Sequence, residues 1–278
     1  MIPSIPDVGF SPIAVFAAFR TRMKESTRYR GYWVSDIMFT FLVASLPILI
    51  GRGIGSTDVF GQFTGTLNFP GYMLLGACAF MVIDAPLWQM GFWFRREQMI
   101  GTLQSIYLVP NTSTEVLAGI CLFSCFRSFI IIAIPLATGF LFLDLPLGEG
   151  VLLGMAFLLV GSIPVCGMSL MVGAIVLRVK EAGGIIMTLQ MALGLLMGMY
   201  CQVTIFPLAV RAISYCLPMT WITSGVRASV MGIPYLLGAW YLDLLIVLIF
   251  CLIMPIAGLC LFRAVERSVK RREGVSLF

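Results

Sequence analysis

Residues 151–177 read VLLGMAFLLVGSIPVCGMSLMVGAIVL, and not one of them is charged. Glu149 stands just before the run and Arg178 just after it. A helix needs about 20 apolar residues to cross a hydrocarbon core, so this stretch alone can span a bilayer. Five more runs of the same kind lie at 33–50, 71–94, 116–143, 183–202 and 236–262. The reading is an all-α integral membrane protein with six transmembrane helices.

Composition agrees. Of 278 residues, 60% are hydrophobic and 11% charged, with a mean hydropathy of +1.01, whereas soluble domains carry about 25% charged residues. A chain this apolar gains too much from burial to stay disordered. There is no histidine, which excludes a Ser-His-Asp triad, a Cys-His dyad and any His-ligated metal. The eight cysteines fall mostly inside the apolar runs and form no C-x-x-C pair, so they read as packing residues. Cys201 and Cys216 flank an expected outer loop, where a disulfide is left open. A cleaved leader is not expected, because the first apolar stretch, 13–19, is short and its arginines follow it.

The few charges set the orientation, since cytoplasmic segments keep the excess of Lys and Arg. With the N-terminus inside, only Arg52, Arg211 and Arg227 fall on the outer side, and Arg127 lies within a span. All other Lys and Arg gather on the inner face. The chain therefore reads as a cytoplasmic N-terminal segment (1–32), a six-span domain (33–262) and a basic cytoplasmic tail (263–278), in the cytoplasmic membrane with both termini inside.

Three segments stand outside the spans. Ser11-Pro12 is a helix start, and Ile13, Phe16 and Phe19 with the following arginines predict an amphipathic helix in the membrane interface. In the link at 94–110, Ile100, Leu103 and Tyr107 form a one-sided apolar stripe that Pro110 ends; Thr112 and Glu115 then predict a capping box for the third span. Beyond the fifth span, about 204–232, Pro207, Arg211, Pro218 and Arg227 interrupt a moderately apolar stretch. Non-helical backbone at membrane depth must be covered by protein, so a re-entrant helical hairpin on the outer side is expected.

Arg96-Glu97, Gly101-Thr102-Leu103 and Pro110, followed by Pro207, Pro218-Met219-Thr220 and Arg227, resemble the type 2 ABC exporter permeases, whose members move drugs, lipids, glycolipids or polysaccharides outward. The resemblance implies that 97–109 is a coupling helix, with Arg96, Glu97, Gly101, Thr102, Leu103 and Tyr107 seated on a cytoplasmic ATPase subunit. It implies that 11–30 is the connecting helix, and that two six-span units, two copies or two related permeases, form the pore above two ATPase subunits. ATP and Mg would bind to that partner. The three lysines, Lys24, Lys180 and Lys270, sit in no G-x-x-x-x-G-K-[ST] loop, so this chain is expected to be a non-catalytic permease that binds no cofactor. Membrane lipids, and no nucleic acid, complete the expected partners.

Asp84 and Arg127 lie within spans, at roughly 16 and 18 Å from the inner flank. An unpaired charge there is costly, which predicts a mutual ion pair that serves packing, substrate contact or a proton relay. In the fifth span, Gly194-x-x-x-Gly198 predicts close helix approach. By the same resemblance this span borders the translocation path with the first two, giving Phe39, Trp88, Met187, Gln190, Met191 and Tyr200 as path candidates. The largely apolar lining favours a hydrophobic or amphiphilic cargo. The alternative is an ion-coupled secondary carrier that uses Asp84 and Arg127.

Overall fold

The computed structural model describes residues 11–54, 64, 66–100, 113–146, 148–178 and 182–273. Nine α-helices and one 3-10 turn, and no strand, are found among the described residues. The helices are α1 (Pro12–Arg28), α2 (Gly31–Ile54), α3 (Phe69–Ile100), α4 (Ser113–Phe142), α5 (Glu149–Arg178), α6 (Ala182–Leu196), α7 (Leu208–Tyr215), α8 (Pro218–Met231) and α9 (Trp240–Glu273). Within α3, α4, α5 and α9, the segments Phe69–Trp93, Thr114–Phe142, Glu149–Val176 and Trp240–Val265 are long and apolar enough to cross a membrane; Gly31–Leu46 and Gly183–Leu196 are shorter apolar helices.

α3 is the central helix, buried along most of its apolar length, and α9 is the most exposed of the long ones. α3 packs against α2, α4, α5, α6 and α8, and α9 lies along α5. Glycine makes the α5–α9 crossing possible. A Cβ on Gly167 would meet the backbone of Met254 and Pro255, and one on Gly258 would meet the carbonyl of Gly167. The two backbones touch because neither glycine holds them apart.

At one end of the bundle α1 lies across α4. Ser11 is the N-cap and Pro12 opens the helix, as the sequence predicts, but the serine side chain makes no capping bond. The Ser11 backbone N–H donates instead to Glu115 Oε1 at 2.6 Å. Glu115 is thus tied to α1 rather than only to its own helix start, and Thr112, its expected capping partner, lies outside the described residues. Phe19 fixes the crossing with edge-on contacts to Phe123 and Phe126 of α4.

At the opposite end, α6 stops six residues short of the expected 202. Gly198 has φ +76°, its N–H donates to Leu195 O at 3.1 Å and the Met199 N–H donates to Gly194 O at 3.3 Å. That is a Schellman stop, which needs the left-handed residue that glycine supplies. Gly194 alone makes the close approach read from the G-x-x-x-G spacing, facing Phe80 of α3. The stretch expected to be re-entrant holds the 3-10 turn Val203–Ile205, α7 and α8. At about 1.5 Å per residue neither short helix reaches the ~30 Å of a hydrocarbon core. α8 starts with Pro218 at its first turn and is buried along nearly all its length. The Asp243 carboxylate, in the first turn of α9, accepts the backbone N–H groups of Leu236 and Leu237 at 3.0 and 3.1 Å. This holds 236–239 as a turn ahead of α9, so the helix begins at Trp240 and not at 236.

Candidate translocation cavity and its two ends

A cavity of about 470 Å³ lies between α2, α3, α4 and α6. α2 contributes Tyr32, Asp36 and Phe39, which share a helix face by their spacing; α3 contributes Met81, Asp84, Ala85, Trp88 and Gln89. α4 supplies Arg127 and Ile131, and α6 supplies Met187, Gln190 and Met191. Of the path candidates, Phe39, Trp88, Met187, Gln190 and Met191 meet here. Tyr200 does not: it follows the turn at Gly198, beyond the end of α6.

The charges pair differently from the sequence expectation. Arg127 Nη2 donates to Asp36 Oδ2, not to Asp84, and the guanidinium carbon stands 5.9 Å from the centre of the Trp33 ring. The expected Asp84–Arg127 pair is therefore corrected to Asp36–Arg127. Equal depth along two helices does not fix which way their side chains face, and Asp36 stands near the edge of its apolar run, where a charge is ordinary. Its spacing with Phe39 and Thr40 was the available signal. Asp84 also lines the cavity, yet its Oδ1 is shut off from solvent and has no hydrogen-bond partner.

Trp88 and Gln190 clasp across the cavity wall: the indole N–H donates to the buried Gln190 Oε1 at 2.8 Å. The Trp88 ring stacks on Phe92, centroids 4.9 Å apart and nearly parallel. Pro86, between Asp84 and Trp88, has no N–H to give the Val82 carbonyl, so α3 is weakened beside the carboxylate.

Toward the α1 end the space continues into two adjoining cavities of about 360 and 340 Å³ that share Tyr32, Gln89, Trp88 or Arg127 with the first. Glu25 of α1 organises their rim. It accepts from Arg22 at 2.8 Å and from Arg96 Nη1 at 2.6 Å, so α1 is tied to the far turns of α3. Arg96 is thus placed beside α1. Glu97 lies in the last turn of α3, and Gly101, Thr102, Leu103, Tyr107 and Pro110, with the rest of the expected coupling helix, lie outside the described residues.

At the other end Arg227 of α8 is buried. Its Nε donates to Tyr72 O at 3.2 Å, Nη1 to Gly198 O at 2.7 Å and Nη2 to Met199 O. Its guanidinium carbon lies 3.7 Å from the Tyr72 ring centre. Room for it comes from Gly76, where a Cβ would meet both Nη2 and the Met199 carbonyl. One cation therefore caps the turn that ends α6, where carbonyls and the helix dipole favour positive charge. The sequence assigns Arg227 to the interrupted segment at 204–232 but carries no sign of this role. Pro207 caps α7, Pro218 opens α8, and Arg211 donates to Thr204 O at 3.4 Å. A cavity of about 290 Å³ beside Arg227 is lined by Gln202, Thr204, Ser224 and Tyr235 among others. Burial, and then the Asp243 carboxylate, raise the Tyr235 hydroxyl pKa, so it stays neutral at physiological pH.

All eight cysteines are free thiols, Cys201 and Cys216 included. Among the described residues no group of three or more Cys, Asp or Glu is placed to hold a metal ion. No curated protein matches the chain. The family model described as ABC-2 type transporter matches residues 56–231, from the segment after α2 to the end of α8. With that match over more than half its length, and with four helices among the described residues long and apolar enough to cross a bilayer, this multi-pass membrane protein belongs to the ABC-2 type transporter family.

Proposed function

We propose that the chain is the permease subunit of an ATP-driven exporter that moves a hydrophobic or amphiphilic compound out across the cytoplasmic membrane. The observation that carries the reading is the cavity at Asp84, Trp88 and Gln190, walled by aromatic rings and thioethers and open through adjoining spaces toward α1. Its walls suit a drug, lipid or glycolipid better than a bare ion.

In this reading α2 and α6 join the four longer helices to give six spans, α1 and the tail face the cytoplasm, and α7 and α8 form the outer re-entrant hairpin. Two such units surround the path. A separate ATPase subunit, two copies per complex, holds ATP and Mg and docks on 97–109. Its closure pushes the end of α3, and the Arg96–Glu25–Arg22 cluster carries the displacement to α1. The secondary-carrier reading recedes, because Arg127 is engaged by Asp36 and leaves no Asp84–Arg127 couple to titrate.

The test is co-purification with a nucleotide-binding subunit from the native membrane. Glu97→Ala or Leu103→Ala should abolish it without loss of the permease. Transport that persists without ATP and collapses with an ionophore would overturn the reading.

A further inference from the structure

We infer that the cavity between α2, α3, α4 and α6 is a binding site for a lipophilic organic cation, its positive centre against Asp84 and its apolar body against Phe39, Trp88, Met187 and Met191. The inference rests on the reading of this cavity as the substrate path and names the charge of what passes.

Charge balance is the first ground. The cavity is lined by two carboxylates, Asp36 and Asp84, and one cation, Arg127. Arg127 is committed to Asp36. The next cations toward α1, Arg22 and Arg96, lie in the adjoining cavities and pair with Glu25. The site therefore holds one carboxylate more than its cations answer.

Hydrogen bonding is the second ground. Asp84 Oδ1 is shielded from solvent and has no partner. Asp84 as a whole is only partly buried and lines the cavity, so a ligand's positive centre beside the carboxylate offsets the cost of its under-compensated charge. An uncharged ligand offsets none of that charge, and an anion would be repelled, so the same group selects as well as binds.

The walls supply the third ground. Aromatic faces attract cations, and Trp88 is held in place by Phe92 and Gln190. Met187 and Met191 offer adaptable thioether surface and are each 56% exposed. A guest can thus enter from the apolar face of the bundle. A small hydrated cation would find no set of oxygens to replace its water; an amphiphile with delocalised or tertiary charge fits. The volume of about 470 Å³ lies within the ordinary range for small-molecule sites.

Tetraphenylphosphonium and tetraphenylborate, nearly the same shape with opposite charge, separate charge from hydrophobicity. Binding of each to the purified full-length protein is measured by equilibrium dialysis. Tetraphenylphosphonium should bind saturably and at least about tenfold more tightly than tetraphenylborate. Asp84→Asn should weaken the phosphonium at least about tenfold and shrink the discrimination, and Asp84→Glu should keep it. If Asp84→Asn does not fold, Met187→Lys, which adds a cation to the cavity lining, should weaken the phosphonium and spare the borate. Equal binding of both ions, or an Asp84→Asn protein with unchanged affinity and discrimination, overturns the cation and leaves an amphiphile path standing. Binding of neither ion overturns the inference as well. Failure to co-purify with any ATPase strikes the exporter reading independently of these outcomes.

Discussion

Replacing Arg227 by Met keeps the length of the side chain and removes the guanidinium. Three carbonyls lose a donor: Tyr72 O, Gly198 O and Met199 O. Tyr72 lies inside α3, so its carbonyl keeps a helical partner. Gly198 and Met199 follow the stop of α6 and have none in the regular ladder. Each buried acceptor left unpaired costs about 1–3 kcal/mol, or about 2–6 kcal/mol for the two. Removing a buried cation also removes part of the desolvation cost, which brings the net down to about 1–4 kcal/mol. The assay is thermal unfolding followed by a thiol-reactive dye: Cys78 and Cys166 are buried and report opening once the exposed Cys216 and Cys260 have been blocked. Arg227→Met should unfold several degrees earlier than the native chain. Arg227→Lys should fall between, since an ammonium keeps the charge but cannot fork to two carbonyls while lying on the Tyr72 ring. Gly76→Ala should destabilise alone and cost less in the Arg227→Ala background, where its Cβ still meets the Met199 carbonyl but no longer the guanidinium. A Met variant as stable as the native protein, or strictly additive Gly76 and Arg227 effects, would refute the capping argument.

Arg127 and Asp36 are 12% and 30% exposed, so Asp36→Asn should cost between the ~1 kcal/mol of exposed pairs and the ~3 kcal/mol of buried ones. The double change Asp36→Asn with Arg127→Gln should cost less than the sum, whereas Asp84→Asn should be neutral or stabilising; both are read by the same melting assay. Gly258→Val would drive side-chain atoms into the Gly167 backbone and should cost at least about 1–3 kcal/mol, with loss of the monodisperse peak in size-exclusion chromatography. Glu25→Gln breaks pairs to Arg22 and Arg96 that are well exposed on the Glu25 and Arg96 sides, so stability should change by less than about 1 kcal/mol. A folded Glu25→Gln protein with reduced ATP-dependent transport supports transmission through α1; unchanged transport removes that step.

The helices were legible because apolar run length and charge-free composition act locally. α2, α3, α4, α5, α6 and α9 fall on the six runs, and α1 starts at the serine and proline that mark it. What was not legible depends on azimuth and on tertiary partners. Gly198 looked like half of a helix-contact motif and proved to be a helix stop, because a G-x-x-x-G spacing does not say whether the chain continues. Asp84 and Arg127 matched in depth, but Arg127 faces α2, and Asp36 near the margin of a run gave little sign of lying in a cavity. Arg227 could be placed in an interrupted segment but not matched to backbone carbonyls, which carry no signature in the sequence.

α3 is the element these observations share. Its 32 residues extend about 48 Å. At the α1 end Arg96 grips Glu25; near the middle Asp84 lines the cavity, with Pro86 removing a rung of the helix beside it; at the far end Tyr72 and Gly76 receive Arg227. The Arg227 lock joins α3, α6 and α8 through main-chain acceptors, so those helix ends resist separation. Glu25 and Arg96 are exposed and their bond exchanges at low cost. In the proposed cycle a push at 97–109 therefore rearranges the α1 end first, and the weakened turn at Pro86 lets the Asp84 carboxylate and the Trp88–Gln190 wall shift while the Arg227 end stays closed. Opening that end requires the Arg227 contacts to move as a unit, which is why a change at Arg227 should reach transport as well as stability.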